Sequence, residues 1–183
     1  MLDIIYSFLE IINSLIEKNF IISFIVYFSF LIFFYSFSIP GGALLSIASG
    51  YFFGFYLGFL INILTVVIGS LLFFIFFQSF FQKFFYKKFN EYASKLSSMI
   101  KNSSYEYLIL LRLVFGTPLV MQNICISMLK ISKSKIIIST FIGFTPYMIL
   151  FSYLGDQVSN FLDLKNFNFS ELISSEFLFI IFL

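Results

Sequence analysis

Apolar stretches long enough to cross a bilayer, broken at set points by proline and glycine, limit what this chain can fold into. From Phe20 to Phe37 no charged residue occurs. About 18 residues at roughly 1.5 Å each come close to the ~30 Å thickness of a hydrocarbon core. A second span is predicted from about Gly58 to Phe81, and a third from Ile136 to Leu154, broken by Gly143 and Pro146. Two other apolar stretches do not suit a straight helix. Ile39 to Tyr56 opens on Pro40-Gly41-Gly42 and continues through Ala43, Ser46, Ala48, Ser49 and Gly50, while Tyr105 to Leu129 is interrupted by Arg112, Gly116, Pro118, Gln122 and Asn123. Non-helical backbone at membrane depth is stable only where protein or a water-filled cavity surrounds it. Both stretches therefore read as re-entrant hairpins, hairpin 1 at residues 39–56 and hairpin 2 at residues 105–129. Arms of about nine residues reach roughly half the bilayer and return.

Composition agrees with a lipid solvent. The chain is 60% hydrophobic and 11% charged, whereas soluble domains carry roughly 25% charged residues, and so large an apolar surplus cannot be hidden in the core of a 21.3 kDa protein. With no His, and Cys125 as the single cysteine, the chain offers no imidazole base, no His-ligated metal and no internal disulfide. No catalytic residue, metal site or cofactor is assigned, and Cys125 reads as a small packing residue. The net charge of +2, without a basic run, excludes nucleic acid as a partner. The 31 Phe read as the codon bias of an A+T-rich genome and carry no functional weight.

Charge placement orients the spans. Lys83, Lys87, Lys88, Lys95 and Lys101 follow the second span, and Lys130, Lys133 and Lys135 precede the third. Both clusters lie on the cytoplasmic side only if residues 105–129 dip and return; this connection would also anchor to anionic inner-leaflet lipid. Asp156, Asp163 and Glu171 then lie outside, with Asp156 as a solvated cap. Each half has a hairpin opened by proline, and a full span begins 18 residues after Pro40 and after Pro118. The hairpins enter from opposite sides, the layout of an inverted repeat with broken helices. Residues 1–18, with Leu2, Ile5, Leu9, Ile12 and Ile16 at helical spacing, read as an interfacial amphipathic helix rather than a secretory signal. Residues 157–183 read as an external loop and a short apolar segment. The expected fold is an all-α polytopic membrane protein, an inverted repeat with two opposed re-entrant hairpins and three to four transmembrane helices.

Arg112 is the sole arginine and sits in an apolar run. A cation at membrane depth costs about 2.5–3.5 kcal/mol on insertion scales, and the planar guanidinium fork suits bidentate phosphate recognition. Two structural roles compete: snorkelling to the interface, and pairing with Glu106. Gln122 and Asn123, on the returning arm, either line a site or satisfy backbone groups freed where the helix breaks. Pro40 and Pro118 break the helices, and Gly41, Gly42 and Gly50 allow close hairpin packing. No carboxylate lies inside a predicted span, which argues against proton coupling.

The run from Ile39-Pro-Gly-Gly to Phe53-Gly54, with Gly58 and Gly69-Ser70, closely resembles the first signature of the VTT-domain family. This family is also called SNARE-associated Golgi proteins and includes the bacterial DedA proteins. Leu111-Arg112-Leu113, Pro118 and Asn123, then Gly143, Pro146 and Gly155, resemble the second signature. The resemblance covers about Tyr35 to Asp156 and makes residues 20–156 a VTT-like membrane domain. It implies two opposed hairpins and movement of lipids between leaflets, with Arg112, Asn123 and Gln122 as substrate-binding candidates. The partners it implies are membrane lipids, either anionic phospholipid or polyprenyl phosphate, at the cell inner (plasma) membrane, and a homo-oligomer stays open. The chain departs from the family at Phe77-Gln78, where Gly-Arg is common, at Ser127, where a glycine is expected, and in lacking the acid common in the first DedA hairpin. A non-transporting membrane-organising protein and a small-solute or ion transporter remain the alternatives.

Overall fold

A computed structural model describes residues 12–80, 105–114, 116–127 and 131–163. Over these the chain is helical: α1 (Ile12–Lys18), α2 (Phe20–Ser36), α3 (Gly42–Phe80), α4 (Tyr105–Leu113), α5 (Leu119–Ser127) and α6 (Lys133–Asp163). No strand occurs among the described residues. α1, the described part of the expected interfacial helix, meets α2 at 118°.

α3 is not one rod. At Gly54 the backbone takes φ 74° and ψ 171°, a conformation open to glycine, and the chain folds back between residues 42–53 and 55–80. A Cβ on Gly58 would lie 2.8 Å from the Cα of Gly50. Further from the bend, the Asn62 amide donates to the Ser46 carbonyl at 2.9 Å.

Residues 42–53 also run antiparallel to α2. Near the closed end of that pair the Tyr35 hydroxyl donates to the Gly42 carbonyl at 3.1 Å, and at the open end the rings of Phe20 and Phe24 lie 6.0 and 5.9 Å from that of Phe53. α2 ends because Ser38 takes φ 50°, with its N–H bonded to the Tyr35 carbonyl and that of Ile39 to Phe34. This is a Schellman stop, and a proline follows it. The sequence expectation drew hairpin 1 at residues 39–56 with two nine-residue arms. The structure instead closes its antiparallel pair at residues 37–41, between α2 and residues 42–53. Pro40-Gly41-Gly42 thus lies at the tip, not the mouth, and the small residues after it form a helical packing face. Between α4 and α5, nine residues each, residues 114 and 116–118 are non-helical, with Gly116 at φ 83°.

α6 organises the rest. Residues 42–53 run parallel to it: the Ser46 hydroxyl reaches Met148 Sδ at 3.6 Å, and the Cα positions of Gly50 and Gly155 are so close to α6 and residues 42–53 respectively that a Cβ on Gly50 would strike the Ser152 carbonyl, and one on Gly155 the Ile47 carbonyl. Residues 55–80 run antiparallel to α6, with Asn62 donating to Ser152 Oγ at 2.9 Å and the Phe55 N–H to Asp156 Oδ1 at 3.1 Å. Asp156 is thus a cap, on the neighbouring helix. The first arm of each hairpin lies parallel to the long helix that follows it. Tyr35, in the last turn of α2, seats on Gly69, and Arg112, in the last turn of α4, seats on Gly143. Both glycines fall near mid-length of their helices, so both turns reach the middle of the bundle.

Among the described residues two helical stretches, Gly42–Ser79, of which the limb after Gly54 is the straight part, and Lys133–Asn160, are long and apolar enough to cross a membrane, or up to three if the bent pair of α1 and α2 counts as one span. Large apolar side chains face outward, Ile21 at 72% and Leu44 at 73% exposure among them, as a lipid solvent allows. α6 continues through 157–163, which the sequence reading had assigned to a loop. The lysine-rich connection at 83–101 and the apolar segment at 171–183 lie outside the described residues.

If backbone contact holds these helices together, filling it must be costly. Gly155→Val and Gly50→Leu are each expected to destabilise the detergent-solubilised protein by about 1–3 kcal/mol, read as a lowered thermal unfolding midpoint. Midpoints equal to that of the unsubstituted protein would show that the helices do not depend on this approach.

Candidate functional site

Arg112 is held by two elements. α4 carries it to the bundle centre, and Gly143 of α6 leaves room for its Cβ and Cγ. The side chain is 1% exposed. Its Nη1 donates to Gln122 Oε1 at 3.5 Å, a long bond, and its guanidinium carbon lies 5.5 Å from the centroid of the Phe144 ring, within cation–π range. Nε and Nη2 have no partner among the described residues. Glu106 is not among the partners of Arg112, and complete burial excludes snorkelling.

Gln122 is oriented by its own turn. Its amide nitrogen donates to Thr117 Oγ1 at 2.6 Å, which aims the carbonyl oxygen at Arg112. Asn123, one residue on, donates from Nδ2 to Ser38 Oγ at 2.8 Å and so ties the second hairpin to the turn of the first; its Oδ1 has no partner among the described residues.

The turns at 37–41 and 116–118 face each other across a cavity of about 620 Å³, lined by Arg112, Gln122, Pro40, Gly41, Gly42 and Pro118 together with apolar side chains such as Val66, Phe144 and Met148. Six of the eight residues singled out from sequence thus line the same cavity. Asn123 lies beside the cavity, bonded across to Ser38. Gly50 lies elsewhere, against Ser152. Sequence reasoning missed Ser38, whose signal was its place directly before Ile39-Pro40-Gly41, and Tyr35, whose hydroxyl bonds Gly42 and Ser46. Among the described residues no group of His, Cys, Asp or Glu could hold a metal ion.

An arginine whose Nε and Nη2 have no partner among the described residues, on an apolar cavity, can bind an oxyanion, since charge-assisted hydrogen bonds to phosphate or carboxylate are the strong ones. Long apolar helices, helix pairs joined by proline-glycine turns and a buried cation where the turns meet define an all-helical membrane protein. The VTT domain pattern matches residues 39–157, more than half of the chain, and the protein belongs to the VTT-domain family. Comparison with curated proteins gives no match, nor does comparison with solved structures.

The bond between the turns has a measurable signature. Asn123→Ala and Ser38→Ala are each expected to destabilise the protein by about 0.5–1.5 kcal/mol, and the double variant by less than their sum, because one bond is removed in all three. Strict additivity of the unfolding free energies would mean that the two side chains act independently.

Proposed function

We propose that this chain moves phosphate-bearing lipids between the leaflets of the cell inner membrane, binding the headgroup anion at Arg112 and Gln122. The observation that carries this reading is the buried guanidinium, with Nε and Nη2 unpaired, on the wall of a cavity between the two turns. A volume of about 620 Å³ falls in the range of roughly 300–1,000 Å³ typical of small-molecule sites. The apolar walls suit the first methylenes of lipid chains, and the cation suits the phosphate of an anionic phospholipid or polyprenyl phosphate.

In this reading α2 with residues 42–53, and α4 with α5, are re-entrant hairpins entering from opposite faces, and the two halves form an inverted repeat. The antiparallel course of residues 55–80 and α6, with each first arm parallel to its own long helix and seated on a glycine, supports that layout. Such repeats place broken helices and their sites near the bilayer midplane. The nine-residue arms α4 and α5 give roughly 14 Å, about half the hydrocarbon core, while α2 at 17 residues is the longer arm.

Topology and transport are separately testable. In a Cys125→Ser background, Asn19→Cys and Phe55→Cys are expected to react with an impermeant thiol reagent from one face of the membrane, and Tyr105→Cys and Ile131→Cys from the other. Labelling of the two flanks of either hairpin from opposite faces would remove the re-entrant reading. In proteoliposomes carrying fluorescent-tailed phosphatidylglycerol, the protein is expected to accelerate exchange between leaflets. Arg112→Ala should slow that exchange roughly ten- to hundredfold, the factor corresponding to about 1.5–3 kcal/mol for hydrogen bonds to a charged group. Exchange unaffected by Arg112→Ala excludes this residue from binding, and absence of exchange with the unsubstituted protein favours the membrane-organising alternative.

A further inference from the structure

The wall of the cavity between the two turns carries six polar side chains among the described residues: Tyr35, Ser38, Arg112, Thr117, Gln122 and Tyr147. Five of them are committed to the protein. The Tyr35 hydroxyl donates to the Gly42 carbonyl at 3.1 Å, Ser38 Oγ accepts from the Asn123 amide at 2.8 Å, and the Tyr147 hydroxyl donates to the Leu113 carbonyl. Thr117 Oγ1 accepts from Gln122 at 2.6 Å and donates to the Val114 carbonyl at 3.0 Å, while Gln122 Oε1 accepts from Arg112 Nη1. On this wall only the guanidinium, through Nε and Nη2, keeps donors without a partner among the described residues.

The same wall holds a single charge. Arg112 is the one Asp, Glu, Lys or Arg among the described residues that line the cavity. Glu106 stands in the first turn of α4, at its other end, and Asp156 is engaged at the Phe55 N–H. In the first half of the chain the seat on Gly69, which matches that of Arg112 on Gly143, is filled by Tyr35, an uncharged side chain. A ligand in the cavity therefore meets one positive charge and no negative one.

Nε and Nη2 form one edge of the planar guanidinium, whose carbon lies 5.5 Å from the centroid of the Phe144 ring. Such an edge holds two oxygens of one phosphorus side by side. Phosphodiesters and phosphomonoesters both present that pair, and they differ in charge. A diester carries one negative charge, whereas a monoester carries about −1.5 to −2 at pH 7. Attraction to a single cation grows in proportion to the charge of the ligand, but the Born cost of taking the ligand out of water grows with the square of that charge. With a diester the cavity becomes neutral. With a monoester a net negative charge remains at membrane depth, where charge is costly.

Resting on the transport reading above, we propose that the cavity selects its ligand by charge count, taking a singly charged phosphodiester and rejecting a doubly charged phosphomonoester. Of the two lipid classes named above, the anionic phospholipid of the diester type is then the cargo, and polyprenyl phosphate, a monoester, is not. The single charge of Arg112 sets the selection, and its planar fork adds affinity. A lipid headgroup and a water-soluble diester share this chemistry.

The test measures binding to the full chain in detergent at about pH 8.5, where a monoester is a dianion. A ligand that binds the folded state raises the thermal unfolding midpoint, so titrations with phosphatidylglycerol and with phosphatidic acid of the same acyl chains give their half-saturating concentrations. That of phosphatidylglycerol is expected to be lower by at least about tenfold, a ratio equal to about 1.4 kcal/mol. Arg112→Ala should abolish the difference. Arg112→Lys, which keeps the charge and loses the fork, should weaken phosphatidylglycerol binding and keep the preference. A second cation on the wall, from Val114→Lys, or from Ala43→Lys should the first fail to fold, is expected to reverse the preference in favour of phosphatidic acid; both positions line the cavity and are exposed. Stabilisation by glycerophosphoglycerol, the deacylated diester, assigns the site to free diesters as well, and stabilisation by phosphatidylglycerol alone assigns it to the lipid. Equal or tighter binding of phosphatidic acid by the unsubstituted protein, no stabilisation by either lipid, a preference that persists in Arg112→Ala, or no gain for phosphatidic acid in the folded lysine variant would each overturn the proposal. Because binding in detergent needs no transport, selective binding in a chain that exchanges no lipid keeps the charge selection and removes the transport reading, while exchange of both lipids at equal rates, with equal binding, does the reverse.

Discussion

Backbone contact among three helical segments is the constraint on which the remaining structure depends. Lipid tails are as apolar as leucine, so helices in a membrane gain little from hydrophobic burial against one another and associate through close van der Waals packing and hydrogen bonds. Gly50, Gly58 and Gly155 supply the first, since a Cβ on any of them would strike a neighbouring backbone. Asn62 supplies the second, donating at 2.9 Å both to the Ser46 carbonyl and to Ser152 Oγ. With residues 42–53 held between 55–80 and α6, the turn that precedes them can lie only at the bundle centre. Asp156, which caps the start of 55–80, fixes the opposite end of the same unit.

At that centre the energetics of Arg112 do not balance with the protein's own groups. Its position at depth costs about 2.5–3.5 kcal/mol on insertion scales. Against this stand a 3.5 Å hydrogen bond to Gln122 and a cation–π contact with Phe144, the latter about 0.5–2 kcal/mol. A residue kept only for packing would be better replaced by an apolar side chain of similar volume, as buried ion pairs often can be. On the function proposed above, an oxyanion bound to Nε and Nη2 supplies the missing interaction and its release restores the imbalance, a property a carrier requires.

The sequence made some levels of this structure legible and hid others. Helical character and the break before Pro118 were readable because an apolar run interrupted by proline and glycine has few solutions in lipid. The tip of the first hairpin was misplaced because composition does not distinguish glycines that bend a chain from glycines that let helices touch. Gly54 bends it, whereas Gly50 and Gly58, in the same stretch, are helical and pack. Arg112 stood out as the one arginine, and Gln122 and Asn123 as polar residues in an apolar run. Ser70, Thr140 and Ser38 did not stand out, since serines and threonines commonly bond their own helix, as Thr65 does to the Ile61 carbonyl. Only the three-dimensional arrangement shows that the hydroxyls of Ser70 and Thr140 have no such partner among the described residues and that Ser38 meets Asn123.

The same need that shapes the fold also creates the cavity. A turn between helices frees backbone N–H and C=O groups that lipid cannot satisfy. Part of the remedy is local: the N–H groups of Ser38 and Ile39 bond back to Tyr35 and Phe34, and Gln122 closes on Thr117. What remains must be shielded by other protein, and among the described residues the other half of the chain stands there. Asn123 reaching Ser38 shows the two turns shielding each other. Two turns of proline and glycine cannot interdigitate as side chains do, so bringing them together leaves a gap lined by backbone and by whatever polar residues stand beside it. Arg112 stands at the edge of that gap, and the function proposed above makes this packing defect the place where an anion binds.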